Sequence, residues 1–410
     1  MKIYIVGIGM GGDGTLTQKA VETISSSDVL IGAERMLESF RSLNIPCIAE
    51  YRADVIADLL NCKNYGKVSV LMSGDCGFYS GAKKLTKALS DCDIEVISGI
   101  STPVYFCSKL QMDWSDMHFV SLHGQKGNIA RNVSAHKKTF FLLGGDITAD
   151  ELCRHLCHYG LDDVMIHAGV DLSYESEQII SETAREIAAG RRIDGLAALI
   201  AVNSSYEKYM RTSVPDDEFV RGKVPMTKSE VRGIIVSGLE IGNDSICWDI
   251  GCGTGSVSVE MAMRCTDGRV YAVDNNSDAI DLTKQNSVNF HCDNIESIFG
   301  DAGDVIKALP APDCVFIGGS KGQMRQITEC AIRKNPSVKL TVSAVSLETL
   351  EQALAVFDEL GLEADITQIA VTRTKKSALI LCFLLKIRYS LSRGNSDEKY
   401  NNCRNSQRLR

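Results

Sequence analysis

Residues 246–256 read Ile-Cys-Trp-Asp-Ile-Gly-Cys-Gly-Thr-Gly-Ser, and they decide the fold of the second half of this 410-residue chain. The apolar run from Ser245 to Ile250 predicts a buried strand, and a glycine turn then opens a helix at Ser256. Glycine lets the backbone bend sharply and lets a ligand come close to it. The stretch therefore predicts an α/β sheet that holds a small molecule at this turn, although a turn that merely joins strand to helix is the simpler alternative.

The spacing of the glycines argues against a dinucleotide as the ligand. Dinucleotide folds use G-x-G-x-x-G and place a pyrophosphate on the helix N-terminus, whereas the third glycine here, Gly255, comes one residue early. No Lys or Arg lies between Asp249 and Glu260, and the segment has a carboxylate at each end. This charge balance favours a cationic ligand, and S-adenosylmethionine (SAM) fits because it has an ammonium and a sulfonium group.

Two later strand ends fit the same ligand. Residues 269–273 predict a second apolar strand that ends at Asp274. An acid about 20 residues beyond the loop can accept hydrogen bonds from both ribose hydroxyls. Residues 300–302, Gly-Asp-Ala, end a third predicted strand, where an adenine can be held.

Length and composition predict a soluble protein of two or three domains. The net charge of -8 does not indicate a nucleic-acid-binding surface. No apolar run is long enough to cross a bilayer, and the first residues enter a strand without a signal peptide. Fifteen cysteines scattered through apolar segments suit reduced core thiols in the cytoplasm better than disulfides.

A few Cys and His residues raise the question of a metal or an acid–base group. Cys153 and Cys157 would share one helix face beside His158, but a fourth ligand is not obvious, so we predict a packed face and no metal site. His123 and His167 end predicted strands. An isolated histidine there is more often a hydrogen-bonded structural residue than a catalytic one.

The N-terminal half alternates predicted strands and helices, which indicates a layered α/β domain. Thr15 or Thr17 can cap the first helix. Glycine-rich turns follow the strands, and a second lobe begins near His118. The predicted strands are residues 3–6, 29–31, 68–72 and 95–97, and then 119–123, 139–143, 164–167 and 197–202.

The polar segment from Ser213 to Glu218 is the best linker candidate. Thr227 to Glu230 then matches a capping box, which predicts a helix from Thr227 to Leu239. The flanking basic cluster is either a solvated helix end or a contact with an anionic substrate; its members are Arg221, Lys223, Lys228 and Arg232.

The remaining strands and helices follow the βα succession of a class I methyltransferase. Residues 378–385 can form the final strand, whereas Lys386 to Arg410 is polar and basic and predicts disorder.

With both halves considered, the sequence resembles the family of decarboxylating precorrin-6Y C-5,15-methyltransferases of cobalamin biosynthesis, in which a CbiE-like half is fused to a CbiT-like half. The N-terminal resemblance rests on GIGMGGDGTLT (7–17), SGDCGFYSG (73–81) and SGISTP (98–103). The C-terminal resemblance rests on RGKVPMTKSEVR (221–232), WDIGCGTGSVSVE (248–260) and FIGGS (316–320). It implies a two-lobed tetrapyrrole-methylase domain over 1–213 and a Rossmann-like class I SAM-dependent methyltransferase domain over 214–385.

The resemblance also implies two SAM sites. In the C-terminal domain the implied contacts are Thr227, Gly251, Cys252, Gly253, Thr254, Gly255, Asp274 and Ala302. In the N-terminal domain they are Gly9, Asp75, Ser101 and Thr102. We expect Lys228, Arg232 and Lys321 to hold the carboxylates of the tetrapyrrole, and no residue declares itself catalytic.

The chain departs from the family pattern at two places. Cys76 stands where the family usually has proline after Gly-Asp, which changes backbone stiffness but leaves Asp75 in place. The family's histidine-containing turn and Asn-Pro-apolar strand do not follow Lys376. We hypothesise that the tail, residues 386–410, is a frameshift product and that the last strand is imperfect.

The resemblance implies methylation at C-5 by the N-terminal domain, and methylation at C-15 with loss of the C-12 acetate carboxyl by the C-terminal domain. It also suggests self-association. Two other classes compete with this function. A nicotinamide-dependent oxidoreductase is disfavoured by the glycine spacing and by the carboxylates Asp13 and Asp249, and a SAM-sensing module without catalysis is the second.

Overall fold

The structure is a computed structural model that describes residues 1–11, 13–62, 65–122, 127–144, 147–190, 192–193, 195, 197–209, 211–372 and 379–388. The side chains of Asp13 and of residues 379–388 are outside this description. The chain divides into two compact units, Met1–Met210 and Arg211–Arg410.

The first unit begins with a five-stranded parallel sheet in the order β3-β2-β4-β1-β5. Its central strands have apolar side chains on both faces, as buried parallel strands do. Thr17 caps the first helix by accepting a hydrogen bond from the Ala20 amide. The elements are β1 (Lys2–Gly7), α1 (Gln18–Ser25), β2 (Val29–Gly32), α2 (Glu34–Glu38), β3 (Cys47–Ala49), α3 (Ala53–Cys62), β4 (Lys67–Met72), α4 (Ala82–Ala88), β5 (Asp93–Ile97) and α5 (Thr102–Leu110).

A second five-stranded sheet completes this unit in the order β6-β7-β10-β8-β9. Only β6 and β7 are parallel; the other neighbours are antiparallel. The elements are β6 (Met117–Ser121), α6 (Ala130–Ala135), β7 (Lys138–Leu142), α7 (Ala149–His158), β8 (Met165–Val170), β9 (Gln178–Thr183), α8 (Ala184–Ala189) and β10 (Ala197–Val202). The two sheets confirm the two-lobed α/β prediction.

The second unit is a seven-stranded sheet in the order β13-β12-β11-β14-β15-β17-β16. The strands from β13 to β15 are parallel, and β17 runs antiparallel to both of its neighbours. The elements are α9 (Ser229–Gly238), β11 (Ile246–Ile250), α10 (Ser256–Arg264), β12 (Arg269–Asp274), α11 (Ser277–Asn289), β13 (Ile295–Phe299), α12 (Ala302–Val305), β14 (Cys314–Ile317), α13 (Met324–Lys334), β15 (Lys339–Ala344), α14 (Leu347–Glu359), β16 (Glu363–Thr372) and β17 (Leu379–Arg388).

The start of α9 differs from the prediction. The helix begins at Ser229 with Lys228 at its N-cap, and that cap makes no side-chain hydrogen bond, so the predicted capping box from Thr227 to Glu230 is wrong. The Ser229 amide instead donates to the Asp216 carboxylate at 2.9 Å. An acid thirteen residues upstream replaces the local cap, and only tertiary packing can bring it there.

The predicted linker, Ser213 to Glu218, is part of the second unit, and Val214 and Asp216 within it are buried. At the other end of the unit, the predicted final strand is confirmed as β17. This strand continues to Arg388, so the expectation of disorder from Lys386 is wrong for residues 386–388. Residues 389–410, the rest of the predicted frameshifted tail, lie outside the described residues.

Within the described part of the chain, no helix is both long and apolar enough to cross a membrane.

Candidate functional site

The glycine turn after β11 is shaped by three left-handed residues. Gly251, Gly253 and Gly255 have φ angles of 76°, 57° and 74°, a region that side-chain-bearing residues avoid. A Cβ atom on Gly251 would lie 2.7 Å from the backbone nitrogen of Gly319, and one on Gly253 would lie 2.9 Å from the Pro225 carbonyl oxygen. The glycines therefore make the turn and also let two other loops pack against it.

A cavity of about 510 Å³ opens beside this turn at the carboxyl ends of the parallel strands. Its size suits a drug-sized or cofactor-sized ligand. Eight of the residues singled out from the sequence line it: Thr227, Lys228, Gly251, Cys252, Gly253, Asp274, Ala302 and Lys321. Gly255 is the N-cap of α10, and Thr254 is buried with its carbonyl bonded to the Asn286 amide at 2.8 Å; neither lines the cavity.

Two acids border this cavity. One oxygen of Asp274, at the end of β12, accepts from the Gly253 amide at 3.1 Å, and the other accepts from the Asn276 amide at 3.0 Å. The side chain remains on the cavity wall with unused lone pairs, since a carboxylate has about four. Asp301 caps α12 and accepts from Gln323 at 2.7 Å, which fixes the loop that presents Ala302.

Asp249 lies fully buried at the end of β11, just before the turn. Ser258 donates a hydrogen bond to its Oδ2, while Oδ1 has no hydrogen-bond partner among the described residues. Burial raises the pKa of Asp249 to about 7, opposed by the Ser258 hydrogen bond and aided by the charge of Asp274. An uncompensated buried carboxylate is costly, and a nearby cation would relieve that cost.

The structure places Arg232 in buried ion pairs and not on the cavity wall where the sequence led us to expect it. Its side chain is fully buried and is absent from the cavity lining. The guanidinium donates to Asp216 and to Glu260, each at 2.8 Å. It also donates to the backbone carbonyls of Val214 and Thr227. These four partners take four of the five N–H donors of the guanidinium, and the side chain does not line the cavity.

The two lysines that were predicted to bind substrate together with Arg232 do line the cavity. Lys228 lines it from the N-cap of α9. Lys321 has a left-handed φ of 44°, and its ammonium donates to the Asn275 side chain at 2.6 Å. Both cations therefore lie where an anionic group entering the cavity would meet them.

The first unit closes its strand ends with glycines in the same way. A Cβ atom on Gly99 would lie 2.2 Å from the Gly74 carbonyl oxygen and 2.7 Å from the Gly7 carbonyl. Gly9 has a φ of 68° and forms a two-way backbone bridge with Gly74. The loops after β1, β4 and β5 thus meet as one backbone platform.

The four predicted site residues of the first unit lie on these loops. Asp75 accepts from the Gly77 amide at 2.8 Å and from the Gly99 amide at 3.0 Å, so its carboxylate ties two loops together. Ser101 is the N-cap of α5, and Thr102 is its first residue. The thiol of Cys76, next to Asp75 in the chain, is buried, and burial raises its pKa to about 11.

The histidine and cysteine candidates for catalysis or metal binding make contacts typical of structural residues. His167 hydrogen-bonds Ser181 at 2.8 Å between two antiparallel strands, and burial lowers the pKa of its imidazole. Cys153 is fully buried, and burial raises the pKa of its thiol to about 12. Across the described residues, no group of three or more His, Cys, Asp or Glu side chains is placed to hold a metal ion. His123 and the side chain of Asp13 lie outside the described part.

Sequence reasoning missed the polar residues that join these elements. Asn286 of α11 is fully buried and bonds both backbone groups of Val220 as well as the Thr254 carbonyl. Asp216 and Glu260 share Arg232. In the sequence these three residues stand out only as polar residues within or next to apolar helices. That pattern does not show which distant residue each of them contacts.

Comparison with known proteins identifies both halves. The family described as tetrapyrrole (corrin/porphyrin) methylases matches residues 2–188, and the family described as precorrin methyltransferase domain matches residues 217–383. A probable cobalt-precorrin-6B C(15)-methyltransferase (decarboxylating) from Pyrobaculum calidifontis is 39% identical over 171 residues, 41% of this chain and 88% of that protein. A protein with the same name from Methanothermobacter thermautotrophicus is 36% identical, covering 39% and 84% respectively.

Among solved structures, the precorrin-6Y C5,15-methyltransferase from Geobacter metallireducens matches with 30% identity and a TM-score of 0.42. The match covers 43% of this chain and 97% of the chain in that structure.

Proposed function

Because the chain belongs to the precorrin methyltransferases, we propose that it methylates a precorrin-type tetrapyrrole in cobalamin biosynthesis with SAM as methyl donor. In this proposal the second unit methylates C-15 and removes the C-12 acetate carboxyl as carbon dioxide, and the first unit methylates C-5. The cavity of the second unit is the observation that carries the proposal, since it brings the glycine turn, Asp274 and Ala302 together.

The residues of this cavity fit SAM. Asp274 accepts from the two ribose hydroxyls, and the loop that Asp301 caps receives the adenine beside Ala302. Thr227 and the turn from Gly251 to Gly253 form the opposite wall. Asp249 is buried beneath the turn, and a cationic ligand nearby would stabilise its ionised form whereas a pyrophosphate would oppose it.

SAM supplies a methyl group that is already activated, so the protein chiefly orients the acceptor and excludes water. Lys228 and Lys321 hold tetrapyrrole carboxylates at the cavity rim. The electron-rich bridging carbon of the reduced macrocycle would bond to the methyl carbon as the bond from that carbon to the SAM sulfur breaks and S-adenosylhomocysteine leaves, so no strong protein base is needed. For decarboxylation the ring itself accepts the electrons released.

The first unit has a second SAM site in this proposal, at the platform made by the loops after β1, β4 and β5. Gly9 permits close approach to the backbone, and Ser101 and Thr102 present the start of α5. Asp75 acts there by holding two loops in register, because both of its oxygens already bond backbone amides. The two activities make the chain bifunctional, with a tetrapyrrole-methylase domain over 1–213 and a Rossmann-like domain over 214–385.

The cellular setting is a further part of the proposal. Thirteen cysteines in the described residues are free thiols, most of them buried, which supports a reducing cytoplasm. Self-association is proposed from the family resemblance alone.

The test is turnover by the full chain with SAM and either precorrin-6Y or its cobalt-containing counterparts, followed by mass spectrometry. The expected product has gained two methyl groups and lost one carbon dioxide. Calorimetry with SAM and with NAD distinguishes the methyltransferase from the oxidoreductase alternative, since the former binds SAM and the latter binds NAD. Tight SAM binding with no product from any of these substrates would favour the sensing module instead.

A further inference from the structure

A segment that we call the strap, residues 213–228, forms one wall of the cavity in the second unit. Its last five residues, 224–228, line the cavity. The Pro225 carbonyl packs on Gly253, since a Cβ atom there would lie only 2.9 Å from that oxygen. The strap therefore lies directly on the glycine turn, and the width of the cavity depends on where the strap is held.

One buried side chain contacts both ends of the strap. Arg232, on α9, donates to the Val214 carbonyl and to Asp216 near the beginning, and to the Thr227 carbonyl near the end. The ring of Phe219, from the middle of the strap, lies 4.8 Å from the guanidinium carbon. Arg232 therefore contacts the beginning, the middle and the end of the strap.

The same anchor is connected to the glycine turn. Glu260 belongs to α10, the helix that the turn opens, and its Oε1 accepts from Arg232 at 2.8 Å. This oxygen also accepts from the Ser213 hydroxyl at 2.8 Å and from the Val214 amide at 3.0 Å. Strap and turn are therefore fixed to one another through Arg232 and Glu260.

A second tie holds the middle of the strap. Asn286 bonds the Val220 amide at 2.8 Å and the Val220 carbonyl at 3.1 Å, and it donates to the Thr254 carbonyl of the turn at 2.8 Å. Asn286 is uncharged and contacts one strap residue, whereas Arg232 contacts both ends through charged groups. Arg232 is thus the stronger of the two attachments.

We propose that Arg232 is a positioning residue for the cofactor: it holds the strap against the glycine turn, so that Thr227 and its neighbours close on SAM. The proposal rests on the function proposed above for this cavity. It replaces the role in substrate binding that the sequence suggested for Arg232. Lysine cannot reproduce it, because an ammonium lacks the planar fork that reaches four acceptors.

The test compares Arg232→Lys with wild type in the full chain, using S-adenosylhomocysteine as the probe. Hydrogen–deuterium exchange followed by peptide mapping reports on residues 251–256 and on the first unit separately. We expect the probe to bind the second unit at least about tenfold more weakly in the variant, because misplacement of a binding wall is costly. In the precorrin assay the KM for SAM rises, while the KM for the tetrapyrrole at saturating SAM stays unchanged.

Arg131→Lys is the matched control. Arg131 is equally buried, pairs with Glu207 at 2.9 Å and lies in the first unit. It should lower thermal stability without changing probe affinity at residues 251–256. Asn286→Ala removes the second tie and should weaken probe binding in the same direction but by less, which keeps the proposal testable if Arg232→Lys does not fold.

Two results would overturn the inference. Unchanged probe affinity with a lowered melting temperature would make Arg232 a purely structural residue. An increased KM for the tetrapyrrole with unchanged probe affinity would return it to substrate binding. Failure of the proposed function is a separate result: the wild-type chain would bind the probe at residues 251–256 and yet form no methylated precorrin.

Discussion

Asp75 in the first unit and Asp249 in the second both stand at the carboxyl edge of a parallel sheet, beside glycines that pack on glycines. Asp75 gives one oxygen to the Gly77 amide and the other to the Gly99 amide. Asp249 is fully buried, and its Oδ1 has no partner among the described residues.

The difference shows that two acids in similar motifs have different tasks. Both oxygens of Asp75 accept hydrogen bonds from backbone amides, so this carboxylate joins two loops. Asp249 keeps one carboxyl oxygen without a hydrogen-bond partner among the described residues, while Asp274 holds the loop through the Gly253 amide. The four predictions that follow test this contrast, from the largest expected effect to the smallest.

Asp249→Asn should change how stability depends on pH. The pKa of Asp249 is raised from its ordinary 3.8 to about 7 in the folded chain, so the folded state binds its proton more tightly than the unfolded state does. Its stabilising contribution is complete below pH 3.8 and is lost as pH rises through 7. Between pH 4 and pH 8 the free energy of unfolding of wild type should fall by about 4 kcal/mol relative to the variant.

Denaturant unfolding of both proteins across that range is the measurement. If the free energy of unfolding changes with pH in the same way in wild type and in Asp249→Asn, the pKa of Asp249 is not raised by burial.

Asp274→Ala should abolish most of the activity at C-15. In the proposed site this variant loses two hydrogen bonds from ribose hydroxyls to the carboxylate, so kcat/KM for carbon dioxide release should fall by about 100-fold. Methylation at C-5 should continue. Asp278→Ala, which removes an exposed acid at the start of α11, serves as the control and should retain activity at both carbons.

Asp75→Ala tests whether this carboxylate joins the two loops. Because two backbone amides lose their acceptor, the first unit should be destabilised by about 2 kcal/mol, and C-5 methylation should fall with it. Chemical denaturation monitored by exchange in the first unit gives the free energy. Loss of C-5 activity at full stability would mean that Asp75 acts on a ligand and not on the loops.

Val345→Asp tests the rim of the second cavity. Val345 follows β15, is 74% exposed and lines the cavity, which suits contact with a flat apolar ring. A new carboxylate would repel the polycarboxylate substrate, so the KM for tetrapyrrole in the C-15 reaction should rise about tenfold. Val96→Asp, at an exposed position of β5, is the matched control.

Much of this arrangement could be predicted from local sequence. The buried strand from Ile246 to Ile250 and the glycines after it follow from local sequence, because strand and turn are adjacent in the chain. Asp274 is expected because it ends the next apolar strand, about 20 residues beyond the loop. Local sequence also indicates Thr17, which caps the helix one residue beyond it.

The errors at Arg232 and Thr227 share one cause. Arg232 appeared to belong to an exposed basic cluster, and Thr227 appeared to cap a helix. In the structure Asp216 both caps α9 through the Ser229 amide and pairs with Arg232. A charged side chain is drawn to whichever opposite charge the fold brings near, and sequence spacing does not reveal that distance.

The sequence by itself determined the α/β class, the position of the glycine turn and the acids that border it, since these depend on backbone conformations that few residues can adopt. Tertiary structure alone decided which charges face the cavity and which are buried in ion pairs. The reason is that a buried charge is stable only when oppositely charged or polar partners offset the cost of removing it from water. The charged partners of Arg232 are Asp216 and Glu260, which lie far apart in the sequence.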